Sequence, residues 1–413
     1  MDHSPVTSEL SGGLATIDDL VVDGRRVLLR ADLNVPLETV APGNTVRIAD
    51  DTRIRAALTT IEELRQRHAR IVLVSHLGRP VDRDPQLSMR PVADRVAELT
   101  GAPVQLAPAV VGADVRALTD RLAPGEILVL ENVRYEPGET RNDPQLASAL
   151  AELADVYVND AFGTAHRAHA STEGIAHLLP SAAGRLMERE VGILSSIIER
   201  PEPPLVAILG GAKVSDKIGV VERFLHVADV LCIGGAMCFP FLAVQGHSVG
   251  ASLCAEADLA WARLAFAAAA ASTCRLELPV DLVLAQGGEP TERARLIDSV
   301  DVPAGWMGLD IGPRTAQRFV SEITEAQTAF WNGPMGRFEL EPFQAGTRAV
   351  ANALADVSAT TVVGGGETVA ALRRFGLEDS MTHVSTGGGA TLELLEGRAL
   401  PGVQPLLQTV ATR

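Results

Sequence analysis

Cysteine and aromatic residues are scarce in this chain of 413 residues. Its four cysteines, Cys232, Cys238, Cys254 and Cys274, form no C-x-x-C pair and show no zinc-type spacing. They read as reduced thiols, which fits a cytoplasmic location and excludes a disulfide framework or a structural zinc. Aromatics are 4% of the residues, too few for the stacking platforms that bind single-stranded nucleic acid. Positive charge is also short: the formal net charge is −16, which argues against a nucleic-acid or anionic-membrane partner. No segment approaches the ~20 apolar residues that cross a membrane. The N-terminal MDHSPVTSELSGG has no basic region followed by an apolar one, so it reads as a short disordered leader rather than a signal peptide. The P-loop pattern G-x-x-x-x-G-K-[ST] is missing, and no sequence period of about 20 to 50 residues marks a repeat protein.

What is there is an alternation. Hydrophobic residues are 46% and charged residues 21%, a globular balance, and the length predicts two domains. Apolar runs of four to six residues alternate with segments of helical period, the βαβ pattern of a mostly parallel sheet. In the first half, strands are expected at 27–30, 71–74, 104–106, 127–130 and 156–158, with helices at 50–68 and 144–154. In the second half, strands are expected at 205–209, 230–233, 278–284, 328–331, 361–363 and 383–385. Helices there are expected near 214–227, 255–272, 313–325, 343–356 and 366–374. The helical stretch 187–199 followed by Pro201, Pro203 and Pro204 suits an inter-domain connection.

The ends of the first-half strands carry arginine. VLLR leads into Arg30-Ala-Asp32-Leu-Asn34, IVLV into Ser75-His76-Leu-Gly78-Arg79, and ILVL into Glu131-Asn132-Val-Arg134. VYV leads into Asn159-Asp160 and on to His166-Arg167-Ala-His169, and Arg53 opens a helical stretch. Open α/β sheets bind ligands at the carboxyl ends of their strands, and guanidinium groups clamp phosphate and carboxylate. Five arginines there predict a site for a small, densely anionic metabolite. The histidines His76, His166 and His169 read as donors to that anion or as satisfied loop histidines rather than metal ligands, because no carboxylate cluster at ligand spacing accompanies them.

The second-half strands end differently. LVAIL enters Gly210-Gly211-Ala-Lys213-Val-Ser-Asp216-Lys217, and TVV enters Gly364-Gly365-Gly366-Glu367-Thr368. Asn332-Gly333-Pro334 with Glu339, and Gly387-Gly388-Gly389, follow further strand ends. Glycine turns and helix N-termini offer backbone N–H groups to phosphate, and Glu367 is placed to take Mg²⁺ beside it. Arginines, lysines and Mg²⁺ supply what phosphoryl transfer needs, namely positioning and charge neutralisation. No catalytic base or activated nucleophile is evident, which is consistent with an acceptor carboxylate that is already ionised at pH 7.

Taken together, the segments from about Ile17 to Leu407 resemble phosphoglycerate kinase. The stretches that carry the resemblance include RADLNVP (30–36), SHLGRP (75–80), DVYVNDAFGTAHRAHA (155–170), LGGAKVSDK (209–217), WNGPMGRF (331–338) and STGGGATLELLEG (385–397). The resemblance implies two doubly wound, Rossmann-like parallel-sheet domains facing across a cleft and joined by a helical hinge. It implies an N-terminal domain at 1–185, a linker at 186–204, a nucleotide domain at 205–388, and a segment 389–413 that packs back on the first domain. The reaction implied is reversible, Mg²⁺-dependent phosphoryl transfer between 1,3-bisphosphoglycerate with ADP and 3-phosphoglycerate with ATP, by a monomer with hinge closure. The acidic substrate would meet Asp32, Asn34, Arg53, His76, Arg79, Arg134 and Arg167. The nucleotide would meet Lys213, Lys217, Gly308, Glu339, Gly365, Gly366, Glu367 and Thr368, with Arg53, Lys213 and Lys217 as catalytic groups. Three positions depart from the family's usual pattern: Glu367 in place of Asp, Pro240 where Thr is common, and Ala285-Gln286 where Asp and an aromatic are usual. They leave a second reading, a weakened paralogue that binds both ligands in a regulatory role. A dehydrogenase reading lacks the G-x-G-x-x-G followed by an acidic residue about 20 positions on.

Overall fold

The computed structural model describes residues 13–40, 45–212, 214–286 and 294–408. Its contacts divide the chain into two units. One runs to Gly192 and resumes at Arg398; the other is Ile193–Gly397.

The first unit is built on β1 (Arg26–Ala31), the hairpin β2 (Leu37–Val40) and β3 (Thr45–Ile48), α1 (Thr52–Gln66), β4 (Arg70–Val74), α2 (Arg90–Thr100) and β5 (Val104–Leu106). It continues with α3 (Ala113–Arg121), β6 (Ile127–Val129), α4 (Pro144–Ala151), β7 (Val156–Asp160) and β8 (Ser181–Ala183). The sheet order is β5-β6-β4-β1-β7-β8, with every pair parallel. The chain moves from β1 towards β4 and from β7 towards β8, so it changes direction between two neighbouring strands. That is where such sheets open a crevice for a ligand. Val27, Leu28 and Leu29 of β1 are fully buried, as expected for a strand covered on both faces. Ile54, Ala57, Ile61 and Leu64 of α1 form one buried stripe at helical spacing and join the same core. Each of the larger side chains, Ile54, Ile61 and Leu64, contributes about 1.5–3 kcal/mol by leaving water.

The helix α5 (Arg185–Glu199) begins in the first unit and ends in the second. Its first N–H groups, Leu186 N and Met187 N, donate to Asp160 Oδ1 at 2.9 and 3.1 Å, so the end of β7 caps it.

The second unit contains β9 (Leu205–Leu209), α6 (Ile218–Val227), β10 (Val230–Ile233), α7 (Cys238–Val244), α8 (Glu256–Ala270) and β11 (Arg275–Glu277). Then come β12 (Leu282–Gln286), β13 (Arg295–Ile297), β14 (Trp306–Ile311), α9 (Pro313–Glu325), β15 (Thr328–Asn332) and α10 (Ala345–Asp356). β16 (Thr360–Gly364), α11 (Gly366–Phe375), β17 (His383–Val384) and α12 (Gly389–Leu395) complete it. The main sheet, β11-β10-β9-β15-β16-β17, is again wholly parallel, and its direction changes between β9 and β15. A second, antiparallel sheet, β13-β12-β14, stands apart from it. The strand expected at 278–284 is displaced to 282–286, because Pro279 and the buried, hydrogen-bonded Asp281 precede it in a turn. No helix of the described residues is long and apolar enough to cross a membrane.

Candidate functional site

In the first unit, loops from four parallel strands are stitched to one another by side chains. Asn34, after β1, accepts from Gly78 N, after β4, at 2.7 Å. Arg134, after β6, donates from Nη1 to Gly78 O at 2.5 Å. Asn132 binds Leu77 through both its amide oxygen and its nitrogen, at 3.2 and 2.7 Å. Arg53, in the first turn of α1, donates to Asp32 Oδ2 at 2.5 Å. Asp32, Asn34, His76, Arg79 and Arg134 are thereby held in one loop cluster. Arg79 and Arg167 are exposed, and Arg167 Nε meets His166 Nε2 at 3.1 Å.

Electrostatics show how closely the cations converge. Burial, then the charges of Arg167 and Arg30 and more weakly Arg79, hold Arg134 below the usual guanidinium range, with Glu139 opposing. Burial and the charges of Arg30, Arg134, Arg53 and His169 hold His76 well below its ordinary value, so the ring is neutral. A cluster of like charges with little internal compensation is an anion site, since an incoming phosphate relieves the repulsion. One arginine departs from the expectation of five outward-facing groups. Arg30 is 1% exposed and spends its donors on Ser171, Ala31 and His76.

In the second unit, the site lies at the switch between β9 and β15. Lys217 Nζ donates to Gly210 O at 2.5 Å and to Asn332 O at 3.1 Å, bridging the ends of both strands. It is 8% exposed, and burial pulls its ammonium down to about 8, with Glu367 and Asp216 opposing. Gly333 has φ +101, and a Cβ there would stand 2.5 Å from Lys217 Nζ, so only glycine fits beside the ammonium. Gly333 N donates to Thr368 Oγ1 at 2.7 Å. Thr368 is fully buried, so its hydroxyl ties the two loops together rather than facing outward. Gly365 precedes α11 with φ +90, and Gly366 and Glu367 open that helix, exposed, where its N-terminus favours an anion. Lys213 lies outside the described residues.

Beside these loops is a cavity of about 650 Å³, lined by Gly211, Gly308, Glu339 and Glu367 together with Phe239, Leu309, Pro334 and Met335. Sequence reasoning named the glycines, the acids and Pro334, and the resemblance set the segment 234–241, with Phe239, near the adenine pocket; Leu309 of β14 and Met335 after β15 were not singled out. Two further observations revise expectations. Pro240 is buried in the first turn of α7, where a backbone N–H has no helical partner, and it does not line the cavity. Asp310, not foreseen, lines the cavity while accepting from Ile311 N and Gly346 N, both at 2.9 Å. Burial pushes it up to about 7 despite those bonds.

The residues fit Mg²⁺ carried by a nucleotide. A Cβ on Gly211 would approach Lys217 Nζ at 3.4 Å and Glu367 Oε2 at 3.6 Å, so one carboxylate and one ammonium flank the glycine turn. Among the described residues no group of three or more His, Cys, Asp or Glu forms a cage. Mg²⁺ is commonly held by one or two carboxylates plus substrate phosphates, which is what this donor set offers.

Comparison with known proteins gives one consistent result. The phosphoglycerate kinase family profile matches residues 17–398. A phosphoglycerate kinase of Rubrobacter xylanophilus is 54% identical over 392 residues, covering 95% of this chain and 97% of the relative. One from Desulforudis audaxviator is 51% identical, covering 95% and 98%. The solved structure of phosphoglycerate kinase from Coxiella burnetii superposes with a TM-score of 0.85 at 40% identity, covering 95% of this chain and 98% of that one.

Proposed function

The chain belongs to the phosphoglycerate kinase family and is a phosphotransferase, and from that premise we propose how its two sites divide the reaction. The first unit binds 3-phosphoglycerate or 1,3-bisphosphoglycerate. Arg79, Arg134 and Arg167 meet its phosphate and carboxylate, and Asp32, Asn34 and His76 orient it. The second unit binds ADP or ATP, with the base in the cavity beside Phe239 and Gly308 and the phosphates on Gly365, Gly366 and Lys217. Glu339 borders the ribose, and Glu367 holds Mg²⁺ on the phosphates, where it neutralises their charge.

The observation that carries this reading is the pairing of two strand-end sites of different chemistry, a guanidinium cluster in one unit and a glycine turn around a buried ammonium in the other. The acceptor carboxylate is ionised at pH 7 and needs no base. Catalysis then reduces to alignment and to neutralising the transferring group, the work assigned to Arg53, Lys217 and Lys213. Because the ligands bind different units, closure about the connecting helix brings them together and excludes water from the acyl phosphate. The protein acts as a cytoplasmic monomer. The test is transfer from MgATP to 3-phosphoglycerate by the purified chain, with Lys217→Ala as control. Turnover that the control abolishes is expected; ligand binding without turnover would instead identify a regulatory paralogue.

A further inference from the structure

Arg30 has the wrong surroundings for a ligand-binding arginine and the right ones for setting another residue's proton. Its Nε donates to Ser171 Oγ at 2.9 Å, its Nη1 to Ala31 O, and its Nη2 lies 3.2 Å from His76 Nδ1. Ser171 passes its own proton on to Glu139 Oε1 at 2.6 Å, and Ser171 N donates to Glu139 Oε2 at 3.0 Å. Glu139 is 1% exposed, and its charge balances that of the buried guanidinium. Every donor and acceptor in this chain has one consistent direction, from Arg30 through Ser171 to Glu139. The planar fork of Arg30 is therefore fixed.

A guanidinium only donates. The nitrogen of His76 that faces it must accept, so Nδ1 carries no proton. In a neutral imidazole the proton is then on Nε2. Nε2 has no partner among the described residues and is not one of the buried polar atoms that lack one, so it opens outward. The guanidinium groups around the ring are Arg30, Arg134 and Arg53, with the imidazole of His169 nearby, and the arginines disfavour a second proton.

We propose that Arg30 is a positioning residue that locks His76 as the Nε2–H tautomer, so that the ring offers an N–H donor to an oxyanion of phosphoglycerate. The second half of this statement rests on the assignment of that ligand to the first unit. The opposite tautomer would aim a lone pair at the anion, and an imidazolium would make binding depend on pH. Arg30 excludes both.

The test uses the full chain with ¹⁵N-labelled histidine, the His76 signals being identified by their loss in His76→Gln. Long-range ¹H–¹⁵N spectra should show Nδ1 unprotonated and Nε2 protonated, unchanged across pH 6.5 to 8, where an ordinary histidine begins to titrate. A protonated Nδ1, or a ring that titrates in this range, overturns the proposal. On adding 3-phosphoglycerate the Nε2–H signal should shift. If the tautomer is as expected but no shift occurs, the ligand assignment fails while the Arg30–His76 relation stands. In kinetics, Arg30→Lys and Arg30→Met should raise KM for 3-phosphoglycerate about tenfold, with a smaller change in kcat and a new pH dependence of KM. Adding His76→Gln to either should cost little more. Effects of the two positions that multiply independently would sink the coupling. Should Arg30→Met fail to fold, the wild-type tautomer decides alone.

Discussion

In the first unit the strand ends deliver guanidinium groups on long side chains; in the second they deliver glycines, one buried ammonium and an apolar wall. The sheets beneath are alike, six parallel strands with a change of direction at the site. What differs is how charge is held. The first site tolerates several cations because Arg79 and Arg167 stay in water and Arg53 is tied to Asp32. The second places its cation 92% out of solvent, against carbonyl oxygens, and surrounds it with backbone that approaches closely. A small ligand that is nearly all charge is met by charge. On the proposed assignment, a nucleotide, part flat apolar base and part phosphate, is met by a cavity and a glycine turn. Burying Lys217 lowers its proton affinity, whereas arginine stays protonated even when burial pulls it down.

That contrast can be broken by four measurements. The largest effect is expected where the two sites act on the same phosphoryl group. Arg53→Ala and Lys217→Ala should each lower kcat by roughly 10²-fold or more in the transfer assay. A kcat within a fewfold of wild type for either would remove that residue from the transferring group.

Next comes shape. A Cβ on Gly308 would stand 2.4 Å from Phe239 Cζ, so Gly308→Ala should push the ring into the cavity. Losing that space should raise nucleotide KM about tenfold, which corresponds to about 1.4 kcal/mol. The KM for 3-phosphoglycerate should not move; a rise in both would mean that the cavity is not specific to the nucleotide.

The third measurement separates the two kinds of cation by pH. Lys217 sits at about 8 in the folded chain against an ordinary 10.5, so kcat/KM for the nucleotide should decline above pH 8. Between those values the folded state binds fewer protons than the unfolded one, so this group makes stability rise with pH across that window. Lys217→Met should flatten the slope seen in denaturant melts from pH 8 to 10.5. Phosphoglycerate binding, resting on arginines and a neutral His76, should stay level over the same range. A nucleotide profile flat to pH 10 would contradict the buried ammonium.

The smallest effect concerns the metal. Glu367→Asp shortens the carboxylate that faces the glycine turn and should shift the Mg²⁺ dependence of nucleotide affinity a fewfold. An identical Mg²⁺ titration would place the residue away from the metal.

Much of this was legible because apolar runs and strand ends are local. The strands expected at 71–74, 104–106 and 205–209 lie within one residue of those observed; Arg79 follows the first of them and Gly210-Gly211 the last. The antiparallel sheet was not legible, since β13 is only three residues long with Arg295 and Leu296 both exposed, and β12 is apolar up to its last residue, so neither shows a clean alternation. The apolar wall was legible only in part: the segment holding Phe239 was expected near the nucleotide's base, but Leu309 and Met335 come from two other segments, and nothing local marks them as its neighbours. The same holds for Arg30. From its neighbours in sequence it looked like a fifth ligand arginine. Its role follows from Ser171 and Glu139, 141 and 109 positions away (171 − 30 and 139 − 30).

By itself, then, the sequence determined the βαβ architecture, the arginine-rich strand ends of one half, the glycine-rich strand ends of the other, and the phosphotransferase family they belong to. These depend on periodicity and on which residues follow each strand, both properties of short segments. Only the tertiary structure decided which cations face a ligand and which are consumed inside the protein, how far Lys217 is driven from its ordinary proton affinity, and which nitrogen of His76 carries the proton. Those outcomes depend on desolvation and on partners brought together from distant parts of the chain, and short-range sequence carries no record of either.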